Sequence, residues 1–509
     1  MKNLVAHYWQ NKPLSLILFL AIIFRIIAVI FSKGYGMFDD HFLIIESSQS
    51  WVDGFDYNNW LPSSGAEKPT GHSFFYPGFH YLLFSLFEFL GLNDPQGKMY
   101  FVRLLHAAFS LLTIVFGFRI TQKISNINNA KIVGLLLAVF WFMPFLSVRN
   151  MVEIVCIPFL MWGSWMIIKE LDGRNRWWIF FIAGLILGIS FSIRFQTAIF
   201  AGGLGLVLLL HKKWKEPFIL AAGYIVAVFL VQGLIDIFIW GYPFAELSEY
   251  VLYNSSSTNY SKYITGSPWY TYIILICGLL IPPVSLFLFF GFFRKWKKEL
   301  LIFLPTLLFL VFHSLYPNKQ ERFILSIIPF IIILGVIGWQ EFIQISNYWK
   351  KHKKLLKACW AFFWVVNTIL LLAISTTYSK RSLVESMYYI SDYQNKNFIA
   401  IDNSNEYGVP LVPRYYADEW VGSINISKSA PPDKINKLHT RQQNLIPSFF
   451  LFLEEENLEQ RVNEMKKVFP KLEYETTIYP GFIDNIMHWL NSINKSRIII
   501  IYRNTQLPG

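Results

Sequence analysis

The chain has 509 residues, of which 54% are hydrophobic and 18% aromatic, and its mean hydropathy is +0.39. Only 15% are charged, against about 25% for an ordinary soluble protein, which excludes a large soluble core. The net charge of +12 at pH 7 sits in short clusters such as "HKKWK" (211–215), "RKWKK" (294–298) and "KKHKKLLK" (350–357). That is the distribution of cytoplasmic loops between membrane spans rather than of a nucleic-acid surface.

Taken in chain order, apolar runs long enough for membrane helices fall at 14–32, 102–120, 132–147, 154–169, 178–194 and 197–211. Five more follow at 217–239, 268–291, 299–316, 323–340 and 358–376. The first run lacks a small-residue cleavage site and reads as a retained span. The aromatic stretch 73–91 carries Tyr76-Pro77, His80 and Glu88 and predicts an interfacial helix. With that stretch lying on the surface, about eleven spans place every basic cluster on the inner side, as the positive-inside bias requires. The first extracytoplasmic loop is then 33–101, and everything after 377 lies outside. In 377–509, "NFIAIDNSN" and "KSRIIIIYRN" predict strands, "LEQRVNEMKKVF" and "FIDNIMHWLNSI" predict amphipathic helices, and "SAPPDK" predicts a loop. The expected fold is a polytopic α-helical membrane protein, 1–376, followed by a small extracytoplasmic α/β domain, 377–509. Cys156, Cys277 and Cys359 lie in apolar runs without ligand spacing, so neither a disulfide framework nor a metal site is expected.

The same topology gathers the polar oddities on the outer face. They include Asp39, Asp40 and Glu46; His72 and Tyr76; Arg149, Asn150 and Glu153; Arg194; Asn254; and Lys319 to Arg322. Ionisable groups at span ends are costly, and both signs collected on one side suggest a shared site. On an α-helix the seven-residue step from Asp39 to Glu46 puts both on one face, where a carboxylate can serve as general base toward a hydroxyl. Asp40 stands beside it. Lys319 and Arg322, three apart, are expected on one face of a helix start, where they would grip a phosphate.

On these residues the sequence resembles the C-type glycosyltransferases. "DDHFLIIE" (39–46) is similar to their acidic motif after the first helix. "NKQERF" (318–323) resembles the His-Lys-Glu-x-Arg-Phe motif of the family-22 mannosyltransferases, which extend lipid-linked oligosaccharides and GPI anchors in eukaryotes. "IDIFIWGYPFAELSEYVLYN" (235–254), "GSPWYTY" (266–272), "HSFFYP" (72–77), "NMVE" (150–153) and "RFQT" (194–197) resemble further segments of that family. Asn318 stands where the family has His, Gln320 offsets the register of Lys319, and His72 stands where the family has Arg. The resemblance implies a C-type fold and transfer of a hexose, most simply mannose, from a polyprenyl-phosphate sugar to a hydroxyl of a lipid-linked or cell-surface glycan, with inversion. Asp39 would be the base, Asp40 the second acidic residue, and Arg322, Lys319 and Arg194 the donor-phosphate contacts. Glu46, Glu321, Glu153, His72, Tyr76 and Asn254 would support them. No cofactor and no metal are implied. The C-terminal domain suggests a bacterial relative in the cytoplasmic membrane. Transfer of another sugar, such as aminoarabinose, or glycosylation of protein remains open at this level. A transporter would show repeats and midplane charges, which this sequence lacks.

Overall fold

The computed structural model describes residues 2–171, 176–255, 267–394, 396, 398–406, 411–428, 446–492 and 494–506. The predicted loop 429–434 and Gly266 of the quoted 266–272 stretch lie outside them. Apolar runs become helices because in lipid every backbone N–H and C=O must be satisfied within its own segment. Among the described residues six helices are long and apolar enough to cross a bilayer: Pro13–Phe31, Pro95–Ile124, Val152–Leu171, Glu216–Trp240, Glu321–Ile345 and Lys353–Ser375. Five shorter apolar helices are Ile127–Val139, Trp177–Ile193, Thr197–Leu210, Val284–Arg294 and Leu300–Leu315. Each predicted run overlaps one of these helices. At about 1.5 Å rise per residue the shorter ones fall below a hydrocarbon core of roughly 30 Å, so length alone assigns six spans.

The run at 268–291 is not one helix. It is Thr271–Leu279 and Val284–Arg294, interrupted by Pro282-Pro283 and by Ile281, whose φ is +58°. Proline removes the amide that would continue the ladder and constrains the residue before it. Residues 73–91 form the helix Phe75–Phe89, which is not among the six.

Contacts divide the chain into two compact units. The first comprises Met1–Ile30, Asn59–Phe79 and Val102–Thr376; the second comprises Phe31–Asn58, His80–Phe101 and Thr377–Gly509. Within the first, Glu321–Ile345 is the innermost long helix, 89% buried along its apolar window, against 22% for Lys353–Ser375. Its helices approach closely through small residues, as membrane helices do when packing rather than the hydrophobic effect drives association. A Cβ on Gly184 would lie 2.1 Å from the Leu220 carbonyl oxygen, and one on Gly223 would lie 2.0 Å from that of Phe181. Trp177–Ile193 and Glu216–Val228 therefore touch backbone to backbone.

The second unit holds a mixed five-stranded sheet ordered β2-β1-β3-β5-β4, with β1 Phe398–Asn403, β2 Gly422–Ser427, β3 Phe449–Leu453, β4 Leu472–Ile478 and β5 Ile499–Asn504. β1 pairs parallel with β2 and β3, while β5 pairs antiparallel with β3 and β4. Phe450 and Phe452 of β3 alternate onto one face, where Val462 and Met465 of the helix Leu458–Lys466 cover them. The odd-numbered neighbour Phe449 meets Tyr393, just after the helix Arg381–Ser391. β3, "FFLFL", is buried at all five positions, as a central strand covered on both faces must be. Arg461 ties that helix to the sheet. Its Nε donates to Asp402 Oδ2 at 2.9 Å and its other nitrogens to the carbonyls of Asp402, Leu453, Glu454 and Glu456.

Candidate active site

The acidic motif lies in the second unit and is wound differently from expectation. Asp40–Glu46 is a π-helix with Asp39 at its N-cap. An i→i+5 ladder is wider than an α-turn, so the seven-residue step no longer brings Asp39 and Glu46 to one face. Asp39 stays half-buried, whereas Asp40 and Glu46 are 2% and 0% exposed. The five-residue step now aligns His41 with Glu46, and His41 Nε2 lies 3.3 Å from Glu46 Oε1. The imidazole is held flat between Tyr35 (4.7 Å, 17°) and Tyr416 (5.4 Å, 6°). Glu46 Oε1 also accepts from the Tyr415 amide at 3.2 Å. Glu46 is thus an anchor inside the unit, and Asp39 is the accessible carboxylate of the motif. His41 escaped sequence reasoning because an α-helical period gives a five-residue step no meaning.

The basic motif lies in the first unit. Glu321–Ile327 is a 3₁₀ turn that leads into Ile328–Ile345. Its N-cap Gln320 is extended (φ −122°, ψ 144°), so Lys319 sits before the helix and does not share a face with Arg322. Lys319 Nζ instead donates to the carbonyls of Ser267 (3.0 Å) and Tyr316 (2.8 Å), and burial pushes its ammonium below the ordinary lysine value. The Tyr316 hydroxyl donates to Asn254 Oδ1 at 2.7 Å, which places Lys319, Tyr316 and Asn254 in one polar string. Glu321 points outward and is exposed.

Arg322 turns inward. Its Nε donates to Gln320 Oε1 at 2.9 Å and lies 3.6 Å from Glu153 Oε1. The same Glu153 oxygen pairs with Arg194 Nη1. Glu153 is 1% exposed, Arg194 5% and Arg322 7%. Phe323 stands against both guanidiniums, with ring-to-Cζ distances of 5.1 Å for Arg194 and 5.7 Å for Arg322, a cation–π arrangement. The turn is docked on Glu153 itself, since Ser326 Oγ donates to the Glu153 carbonyl at 2.9 Å. Two buried arginines share the Glu153 carboxylate, and guanidiniums gathered in this way suit a further oxyanion.

The remaining predicted residues, Tyr76 and His72, also lie in the first unit and have separate partners. The Tyr76 hydroxyl hydrogen-bonds His106. His72 stacks on Trp60 at 5.6 Å, and its amide, with those of Thr70 and Gly71, donates to Glu246 Oε2. Among the described residues no cluster of three or more His, Cys, Asp or Glu is arranged to hold a metal.

Residues 16–409 match the Alg9-like mannosyltransferase family. GPI mannosyltransferase 3 of Kluyveromyces lactis is 28% identical over 179 residues, 31% of this chain and 29% of that protein. A Schizosaccharomyces pombe protein named probable Dol-P-Man:Man(7)GlcNAc(2)-PP-Dol alpha-1,6-mannosyltransferase is 30% identical over 169 residues, 32% of this chain and 30% of its own. The chain thus spans less than a third of the length of either relative. Mannosyltransferase APTG1 of Arabidopsis thaliana is 20% identical over 406 residues, covering 75% of this chain and 71% of that one. In fold, the chain superposes on ArnT from Cupriavidus metallidurans, solved with undecaprenyl phosphate, with a TM-score of 0.60 at 12% identity over 96% of this chain and 97% of that one. The protein is an integral membrane protein that shares the fold of ArnT, and it belongs to the Alg9-like mannosyltransferase family.

Proposed function

We propose that this enzyme transfers mannose from a polyprenyl-monophosphate sugar to a hydroxyl of a lipid-linked or cell-surface glycan, with inversion at the anomeric carbon. In this reading Asp39 takes the proton of the acceptor hydroxyl as its oxygen bonds to C1. The C1–O bond to phosphate breaks, and the electron pair leaves on the lipid phosphate. Arg322 and Arg194 receive that charge, with Lys319 as a further donor-phosphate contact, the electrostatic term that usually contributes most to such reactions. The observation that carries the reading is the convergence of the two buried guanidiniums of Arg194 and Arg322 on Glu153. Asp40 and Glu46 hold the motif that carries Asp39, while Asn254, Tyr76 and His72 shape the polar surroundings and Glu321 stays at the rim. Residues 1–376 form the catalytic membrane portion, with the reacting groups and residues 377–509 on the extracytoplasmic side of a bacterial cytoplasmic membrane.

Radiolabelled mannose supplied as polyprenyl-phosphate-mannose to membranes bearing the wild type should enter a glycan. Asp39→Asn at equal protein level should lose ~10²- to 10⁴-fold, the usual contribution of a general base. Transfer that survives Asp39→Asn at the wild-type rate would refute the assignment of the base.

A further inference from the structure

A cavity of about 260 Å³ lies wholly within the second unit. Its floor is a partly buried hydrogen-bond array. Gln49 Nε2 donates to Asp53 Oδ1 (2.9 Å) and Glu88 Oε1 (2.7 Å), while Lys98 Nζ donates to Gln49 Oε1 (3.0 Å) and to the same Glu88 oxygen (2.8 Å). Lys98 is 4% exposed and Gln49 7%. Burial works against the Glu88 charge, yet the bonds from Lys98 and Gln49 hold its carboxyl below the usual range. The rim carries Asp418 and Glu419, both exposed, and Arg414.

One wall is Trp420. Its indole N–H is tied to Asp53, its ring stacks on Tyr57 at 5.3 Å and 26°, and Phe55 meets it edge-on at 4.9 Å. The ring is therefore oriented before any ligand arrives.

The chemistry of this lining narrows its occupant. Four carboxylates (Asp53, Glu88, Asp418 and Glu419) face two cations (Lys98 and Arg414), and Lys98 is already paired, so a phosphate or a carboxylated sugar meets net repulsion. A lipid tail would leave these polar groups dry and unsatisfied. Several carboxylate acceptors, the side-chain amides of Gln49 and Asn93, and the aromatic rings of Trp420 and Tyr415 around a space of about nine waters (at about 30 Å³ each) match a compact polyol with an apolar ring face. We propose that this cavity is a saccharide subsite that binds an uncharged or amine-bearing sugar of the acceptor glycan. The proposal rests on the transferase reading above and adds to it where the acceptor is gripped. Asp418 suits this role. It adopts φ +63° after the turn Arg414–Ala417, a conformation Asp and Asn tolerate, and so presents its carboxylate from a fixed backbone.

The test uses the purified full chain in detergent, with α-mannobiose as probe and ligand-observed NMR as readout. Saturable binding of mannobiose is expected, together with its weakening by about tenfold in Asp418→Asn, which keeps the backbone preference and removes one charge-assisted bond. Trp420→Leu should weaken it further. Mannose 6-phosphate should bind at least tenfold more weakly than mannobiose, and glucosamine should bind at least as well as mannose. In turnover, Asp418→Asn should raise the acceptor KM and leave the donor KM and kcat unchanged. Absence of saturable binding, unchanged affinity in both variants, or tight binding of the phosphorylated sugar would overturn the subsite. Variant-sensitive binding in a protein that transfers no mannose would retain the subsite and sink the donor reading. Asp39-dependent transfer with an unaltered acceptor KM in both variants would do the reverse.

Discussion

Replacing Glu153 by Gln removes the carboxylate that Arg194 and Arg322 share while keeping the side-chain volume. Both guanidiniums are at least nine-tenths buried, and breaking a buried ion pair by deleting one partner costs about 3–5 kcal/mol. Arg322 is less dependent on Glu153 than Arg194 is, because it lies farther away at 3.6 Å and also donates to Gln320. Arg322→Gln should therefore cost about 1.5–3 kcal/mol, the range for one hydrogen bond to a charged group. The expected order of destabilisation is Glu153→Gln, then Arg194→Gln, then Arg322→Gln. Thermal unfolding of the detergent-solubilised protein, read through intrinsic fluorescence, ranks them. The double variant Glu153→Gln/Arg194→Gln should be less unstable than the sum of its parts, with a coupling of about 0.5–3 kcal/mol. Polyprenyl phosphate should raise the midpoint of Glu153→Gln more than that of the wild type, since the ligand then supplies the missing negative charge. A saturating ligand at a hundred times its Kd contributes about 2.7 kcal/mol. A wild-type midpoint in Glu153→Gln, or strict additivity in the double variant, would refute the shared-carboxylate description.

Three further outcomes follow from other parts of the structure. Gly184→Ala places a methyl 2.1 Å from the Leu220 carbonyl oxygen, so the helices must part, at about 1–3 kcal/mol as for overpacking; Gly202→Ala, which meets nothing within 4 Å, is the neutral control in the same melting assay. Arg461→Gln strands the buried Asp402 carboxylate and several carbonyls, and amide hydrogen exchange in β1 and β3 should accelerate for a loss of about 3–5 kcal/mol, with unchanged exchange arguing against that role. Glu406 is held below its ordinary value of 4.5 first by its hydrogen bond from Lys495 and then by Arg497. A depressed carboxylate contributes stability that is full above about pH 4.5 and is lost as pH falls through the folded value. Glu406→Gln should therefore flatten the acid limb of the melting curve and leave the neutral limb parallel to the wild type.

The apolar runs were legible because lipid forces helices, and a helix that must be apolar over its lipid-facing length announces itself in composition. The break at Ile281 was missed because hydropathy averages over Pro282-Pro283. The central strand "FFLFL" was missed because five buried apolar residues have no alternation to distinguish them from a helix segment. At the site, the residue types around 39–46 and 318–323 were readable, but their directions were not. The faces assigned to Asp39 with Glu46, and to Lys319 with Arg322, assumed α-helical winding where the chain adopts a π-turn and an extended residue ahead of a 3₁₀ turn. The contact of Arg194 and Arg322 through Glu153 joins residues far apart in sequence, and no spacing rule encodes it. The cavity beside Trp420 likewise draws on residues 49–53, 88–98 and 414–420, a juxtaposition that only folding creates.

The proposed donor is a mannose carried on a lipid monophosphate. Purified protein in nanodiscs, given an acceptor glycolipid and either polyprenyl-phosphate-mannose or GDP-mannose, tests it directly by mass spectrometry of the product. An added hexose is expected with the lipid donor only, of inverted anomeric configuration, and its loss in Arg322→Ala. Transfer from the nucleotide sugar, retention of configuration, or full activity in Arg322→Ala would contradict it.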